Sequence, residues 1–253
     1  MKLDKLSQDD FIKVSNRLVR SLTRGKTISS KPKAILLGGQ SGAGKTTIHR
    51  IKQREFQGNI IVIDGDSYRS FHPNYLTLQE KYGKDSVNYT KVFAGQMVEY
   101  LVDELSKQGY HLLIEGTLRT TEVPRKTAQL LTARGYQVSL ALIATKPELS
   151  YLSTLIRYEE LYAIDPSQAR ATPKTHHDGI VGHLVNNLRE LEKEELFRQI
   201  QIYQRDQSCV YDSQVDEISA AEVLHECLFG KWNTVEKEML KVGQERLREL
   251  GDN

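Results

Sequence analysis

Two aspartates separated by one glycine, Asp64 and Asp66 in "VIDGDSYRS", close a run of apolar residues. Carboxylates at such a place either shape a turn or are held out to bind a metal or take a proton. Upstream, "GGQSGAGKTT" carries Gly39, four residues, Gly44, Lys45 and Thr46, the G-x-x-x-x-G-K-[ST] pattern, between an apolar run and a helical pattern. In that setting Gly39, Gln40, Ser41, Gly42, Ala43, Gly44, Lys45, Thr46 and Thr47 are expected to cradle phosphate. The glycines let the backbone bend so that amide N–H groups converge on phosphate oxygens, and the following helix presents its positive end. Lys45 would reach the outer phosphates as a point charge, and Thr46 would offer its hydroxyl to Mg2+. The neighbouring "LLGGQ" is also seen in transporter ATPases, but here it runs straight into the phosphate loop. No N-K-x-D motif for reading guanine occurs, so ATP is the expected nucleotide.

A doubly wound sheet places ligands beyond the carboxyl ends of its strands, so the residues after each apolar run matter most. After the second run stand Asp64 and Asp66, and after the third stand Glu115, Thr117 and Arg119 in "IEGTLRT". Two strands thus deliver acids toward one phosphate site, which suits magnesium handling and deprotonation of an acceptor hydroxyl. The structural alternatives are a helix cap at Asp66 and a water-facing strand end at Glu115. Phosphoryl transfer also needs cations over the moving group. "RYEELYAIDPSQARATPKTHH" offers Arg157 and Arg170 across a proline-containing, lid-like segment, the alternative being surface ion pairs with Glu159, Glu160 or Asp165. His176, His177 and His183 lack a fourth ligand for tetrahedral zinc and are assigned to capping, core or acceptor-site packing. Cys209 and Cys227 are assigned to packing as reduced thiols.

These residues need elements to hold them. "DDFIKVSNRLVRSLTRG" has the spacing of an amphipathic helix stopped by Gly25. Then short apolar runs alternate with helical patterns: "AILLGG", a helix from Lys45, "NIIVID", a long helix from Val87 to Lys107, "HLLIEG", and a helix around "RKTAQLLTARG". "QVSLALIA", a helix from Pro147, a helix from Thr175 and "IQIYQ" follow. This is the pattern of a parallel sheet covered on both faces. The expected fold is α/β, a P-loop NTPase-like, doubly wound and mostly parallel sheet with extra N- and C-terminal helices, forming one domain over residues 1–253. The last helix, in "KWNTVEKEMLKVGQERLREL", mixes charges of both signs and is expected to face solvent or a partner.

Bulk composition narrows the class further. With 39% hydrophobic and 27% charged residues over 253 positions, the chain is of ordinary globular composition. A net charge of +2, from 35 basic and 33 acidic residues, gives no general attraction to nucleic acid, so phosphate binding must be local. The polar start "MKLDKLSQDDF" and the lack of long apolar stretches point to a cytoplasmic protein without membrane association. Arg17, Arg20, Arg24, Lys26, Lys31 and Lys33 form a basic stretch assigned to solvation.

Taken together, "LLGGQSGAGKTT", "VIDGDSYR", "LIEGTLRTTEVP", "SYLSTLIRYEELY" and "ARATPKTHHD" resemble the zeta-toxin family over essentially the whole chain. The resemblance implies a bacterial type II toxin that uses ATP and Mg2+ to phosphorylate UDP-N-acetylglucosamine on the 3'-hydroxyl of its amino sugar, blocking cell-wall precursor synthesis. It implies Lys45 and Thr46 at the ATP and magnesium positions, Asp66 as catalytic base, and Arg157 and Arg170 as the arginines on the transferring phosphate. Glu99, Glu115, Thr117, Arg119 and Thr127 match positions lining the nucleotide-sugar pocket. Glu99 and Thr127 rest on the resemblance alone. It further implies a small helical epsilon-type antitoxin that covers the ATP cleft.

Overall fold

In the computed structural model, which describes residues 3–166 and 169–251, the chain begins with α1 (Gln8–Thr23), β1 (Lys33–Gly38), α2 (Thr46–Glu55) and β2 (Ile61–Ile63). The short α3 (Gly65–Tyr68), α4 (Tyr75–Tyr82), the long α5 (Val87–Gln108), β3 (Leu112–Glu115), α6 (Glu122–Ala133) and β4 (Gln137–Ile143) follow. Then come α7 (Pro147–Ile164), α8 (Lys174–Lys193), β5 (Gln199–Tyr203), β6 (Cys209–Asp212), α9 (Ala220–Phe229) and α10 (Thr234–Gly251).

The strands form one sheet in the order β2-β3-β1-β4-β5-β6. All neighbours are parallel except β6, which runs antiparallel to β5 at the edge. Successive side chains of a strand point to opposite faces, and β1 shows how this builds two layers. Ala34 and Leu36 join the larger core with residues of α1, α5, α6, α8 and α9, while Ile35 and Leu37 join the smaller one with Ile48 of α2. Both faces are covered, which is why the inner strands read as unbroken apolar runs.

The topology also fixes where chemistry can happen. β1 lies between β3 and β4, so the chain leaves it toward one side and later crosses to the other; the crevice at its carboxyl end is the switch point where ligands bind in such sheets. In register, Leu37 stands beside Glu115, and the Gly116 amide donates to the Leu37 carbonyl at 2.8 Å. An acid at the end of β3 is therefore delivered to the start of the phosphate loop. Lys52, buried on α2, donates to Glu55 (2.8 Å), Gln201 (3.0 Å) and the Tyr203 hydroxyl (3.3 Å), which ties α2 to β5 and fixes where its N-terminus points.

Two expectations are refined here. The C-terminal helix has no buried residue, yet one side of it lies along α7, where Gly243 approaches the Leu152 side chain closely enough that an added Cβ would have to push its Cδ2 aside. Arg246 adds an ion pair to Glu160 at 3.2 Å. Cys209 and Cys227 are both free, but Cys209 is exposed on the edge strand instead of packed inside. Among the described residues no helix is long and apolar enough to cross a membrane.

Candidate active site

The phosphate loop is shaped by glycine and by its neighbours. Gly39, Gly42 and Gly44 have φ of 144°, 73° and 103°, a region that side chains oppose. Space enforces the choice at Gly42, where a Cβ would stand 2.0 Å from the Ser150 carbonyl oxygen of α7. Gln40 is fully buried and points away from the cradle, donating to Thr145 O at 2.7 Å and Ser150 Oγ at 3.2 Å. Ser150 Oγ in turn meets the buried His177 Nε2 at 2.8 Å. Thr145 Oγ1 donates to the Ala43 carbonyl at 2.8 Å. The loop is thus held at once by Thr145 after β4, by Ser150 of α7 and, through Ser150, by His177 of α8.

Arg205, just after β5, braces the same loop from behind. Its guanidinium donates to the carbonyls of Gly42 and of Ala43 (3.2 Å) and to Ser153 Oγ at 2.8 Å. Burial pushes its pKa down. By occupying carbonyl oxygens, this cation leaves the loop's amides free to face phosphate. Arg205→Met is expected to raise the nucleotide KM about tenfold, since a lost charge-assisted bond is worth about that much, with Lys45 chemistry otherwise intact; nucleotide titration of the purified variant measures it.

Around the cradle the charged groups converge. Lys45 Nζ donates to Gly39 O at 3.1 Å and lies 3.6 Å from Glu115 Oε1, while His49 Nε2 lies 2.8 Å from Glu115 Oε2. Burial raises the Glu115 pKa, but His49 and the Lys45 charge outweigh it and hold the carboxyl below its ordinary value. Thr46 opens α2, whose N-terminus faces the loop. Asp64 proves to be the cap of α3: its carboxylate accepts from the Asp66 amide at 3.0 Å and from Ser67 Oγ at 2.6 Å. That leaves the Asp66 side chain exposed, 70% open to solvent, and among the described residues only Arg69 Nε bonds it, at 2.7 Å. Desolvation in the cleft pushes its pKa up; the Arg69 bond and charge, then Arg170 and Lys45, more than reverse this. The carboxylate is ionised throughout the neutral range.

Arg170 reaches the same place, donating from Nη1 to the Asp66 carbonyl at 2.8 Å and from Nη2 to the Tyr75 hydroxyl at 3.4 Å. Arg157 is exposed on α7, and among the described residues it makes no hydrogen bond with this group. Of the other expected residues, Glu99, Glu115, Thr117, Arg119 and Thr127 all line one cavity of about 750 Å3. Its wall also includes Leu37 and Gly38, so it opens beside the phosphate loop. Thr127 Oγ1 donates to Val123 O at 2.9 Å within α6. The histidines separate: His177 is core, His183 is exposed and bonds Gly179 O, and His176 feels the charges of Arg119 and Asp66.

Sequence reasoning missed Arg69 and His49. Arg69 stands three residues after Asp66, the spacing at which helical side chains meet, so its signal was present in "DSYR". His49 lies four residues beyond Lys45, on the same face of α2, but nothing in the sequence alone ties it to Glu115.

A glycine-rich loop between a central parallel strand and a helix, with acids from two further strands, defines a P-loop protein of doubly wound α/β fold. The sequence model described as "Zeta toxin" matches residues 19–216, and the chain belongs to the zeta toxin family. It is 68% identical over 250 residues to Toxin PezT of Streptococcus pneumoniae serotype 4, covering 99% of both chains. It is 44% identical over 213 residues to Toxin zeta of Streptococcus pyogenes, covering 83% of this chain and 74% of that one. A solved structure from the PezAT chromosomal toxin–antitoxin system of Streptococcus pneumoniae superposes with a TM-score of 0.93 at 66% identity, over 99% of this chain and 100% of the other. The chain is a toxin of a toxin–antitoxin system.

Proposed function

We propose that this toxin is an ATP-dependent kinase that phosphorylates the 3'-hydroxyl of the amino sugar of UDP-N-acetylglucosamine and so blocks cell-wall precursor synthesis. The observation that carries the reading is the juxtaposition of two sites: a phosphate loop and, beginning at Gly38 just before it, a cavity lined by Glu99, Glu115, Thr117, Arg119 and Thr127. A volume of about 750 Å3 is the size of a cleft that takes a nucleotide sugar. The residues present also fit Mg2+ carried in with ATP. Thr46 offers one hydroxyl at a helix N-terminus, and the described residues hold no cluster of His, Cys, Asp or Glu that would bind a metal unaided. When bound there, Mg2+ would supply charge neutralisation on the phosphates.

In this reading Lys45 holds the outer phosphates, and the loop amides hold the rest. Asp66 accepts the proton of the acceptor hydroxyl as that oxygen attacks the outer phosphorus and the bond to the leaving diphosphate breaks. Arg170, already fastened beside Asp66, and Arg157 from α7 close over the transferring group. A base with a depressed pKa suffices, because in a loose phosphoryl-transfer transition state the hydroxyl loses its proton late. A cognate epsilon-type antitoxin is the proposed partner, covering the ATP cleft.

The direct test incubates the purified, antitoxin-free protein with ATP, Mg2+ and UDP-N-acetylglucosamine and looks by mass spectrometry for one added phosphate on the sugar nucleotide. A folded protein that binds ATP but yields no such product would overturn the reading. The pH profile gives a further prediction. The active form of Asp66 is the carboxylate and its pKa lies below the ordinary value, so the rate should hold as pH falls through 5 and drop only in stronger acid. Arg69 is the largest of the influences that lower it. Arg69→Ala is therefore expected to move the acid limb of kcat upward, and an unmoved limb would remove Asp66 as the titrating group.

A further inference from the structure

Leu118 adopts a left-handed backbone conformation, with φ of 54°, in the middle of the loop that carries Thr117 and Arg119. Left-handed geometry is sterically disfavoured for a leucine, and such strain persists only where the surroundings over-determine it. Here three constraints do so. The Leu118 side chain is buried in the larger core, 6% exposed. Its Cβ lies 3.2 Å from where a Cβ on Gly38 would stand, so it is pressed against the strand that leads into the phosphate loop. Its carbonyl oxygen accepts a hydrogen bond of 2.9 Å from Asn187 Nδ2, on α8.

Asn187 is one of three residues at i, i+3 and i+7 along one face of α8 and its C-cap, Glu194. Glu190 accepts from Thr121 Oγ1 at 3.3 Å and pairs with Arg125 at 2.7 Å, and Glu194 pairs with Arg125 as well. These bonds run the length of the segment from Leu118 into the first turn of α6, which forms the wall of the 750 Å3 cavity. The two glutamates act on Arg125 in the first turn of α6, a half-buried network beyond the strained residue, with Arg125 28% and Glu194 27% exposed. Asn187 acts on the strained residue itself, and it is not among the residues lining the cavity.

We infer that Asn187 is a positioning residue for the acceptor: by holding the Leu118 carbonyl it keeps the loop in the left-handed turn that sets Thr117 and Arg119 on the cavity wall. This rests on the reading of that cavity as the acceptor site. The amide must donate, so Asn187→Asp, equal in shape but with an acceptor facing the carbonyl, breaks the interaction without removing volume. A buried carbonyl left facing an oxygen is expected to raise the acceptor KM about tenfold, while the nucleotide KM stays within about twofold and the melting temperature changes little. Arg125→Ala, which cuts the half-buried pairs but leaves the Leu118 carbonyl held, should lower the melting temperature while leaving the nucleotide KM near wild type and raising the acceptor KM less than Asn187→Asp does.

Glycine adopts positive φ without penalty. In a Leu118→Gly background, therefore, Asn187→Asp should cost about threefold or less in acceptor KM, a coupling that a merely structural role for Asn187 would not produce. Hydrogen exchange gives the reading without any acceptor: the amides of residues 117–120 should exchange faster in Asn187→Asp, with those of the phosphate loop unchanged. If the wild type phosphorylates UDP-N-acetylglucosamine and Asn187→Asp matches it in acceptor KM, the inference fails alone. If the wild type does not, the proposed function fails, and exchange at 117–120 decides the loop's dependence on Asn187: faster exchange supports it and unchanged exchange overturns it.

Discussion

Asp66→Asn should bind ATP as the wild type does and transfer phosphate ~10²–10⁴-fold more slowly, the loss expected when a positioned general base is removed. The substitution is well suited to the question because the fold does not depend on the carboxylate. Its side chain is 70% exposed, and the cap of α3 belongs to Asp64. Arg170 holds the backbone carbonyl of residue 66, which the substitution leaves in place. Arg69 loses its partner's charge but can still donate to the amide Oδ1, and it keeps the Val87 carbonyl at 3.0 Å and Thr90 Oγ1 at 3.1 Å. A slow variant is thus a chemically impaired one, not an unfolded one. The measurements are nucleotide titration for binding and product mass for transfer. In cells, expression of the wild type without antitoxin should arrest growth, and Asp66→Asn should be tolerated. Full turnover by the variant would remove Asp66 as base and move attention to Glu115.

The reason Asp66 could be singled out lies in what a sequence displays. The phosphate loop is contiguous, its strand and helix flank it directly, and the acids follow apolar runs, so the carboxyl-end rule for parallel sheets locates them without any contact map. Helix α9 went unread, although Ala220, Leu224 and Leu228 recur at helical spacing and are all buried. Strand β6 was not legible: it has four residues at the sheet edge, of which only Tyr211 is buried, and offers no alternation to read. Pairings between distant segments were invisible for a different reason. That Asn187 meets Leu118, or Arg205 meets Gly42, depends on how α8 and the end of β5 lie across the sheet, and nothing local at either position encodes it. Glu99 and Thr127 were reached only through family resemblance, because on amphipathic helices an acid and a threonine at the surface look like solvated residues.

Lys45 is the other position where a single change should be nearly complete in its effect. Lys45→Met keeps most of the stem and removes the charge, and it should lower turnover by ~10²–10³-fold, as does loss of one preorganised donor to a developing oxyanion. Arginine is no substitute, because its planar fork cannot replace a compact ammonium that donates to Gly39 O at 3.1 Å within the turn of the loop. The lysine also has a neighbour that reports on its loss. Glu115 is held ionised by His49 first and by the Lys45 charge next, against the burial that raises its pKa. Removing Lys45 moves that carboxyl upward, while His49, 2.8 Å away, continues to hold it. The sign for stability follows. A depressed carboxyl stabilises the fold above its unfolded pKa, and that contribution is lost as pH falls through the folded pKa. Lys45→Met should therefore be less stable than the wild type at neutral pH by the share of this stabilisation that the Lys45 charge supplies, and the difference should close as pH falls through the folded pKa of Glu115. Thermal melts from neutral into the acid range test this. A variant inactive at pH 7 whose small melting difference closes in acid would place the defect in phosphate handling. One with a large loss of stability that persists in acid would make Lys45 a structural residue first.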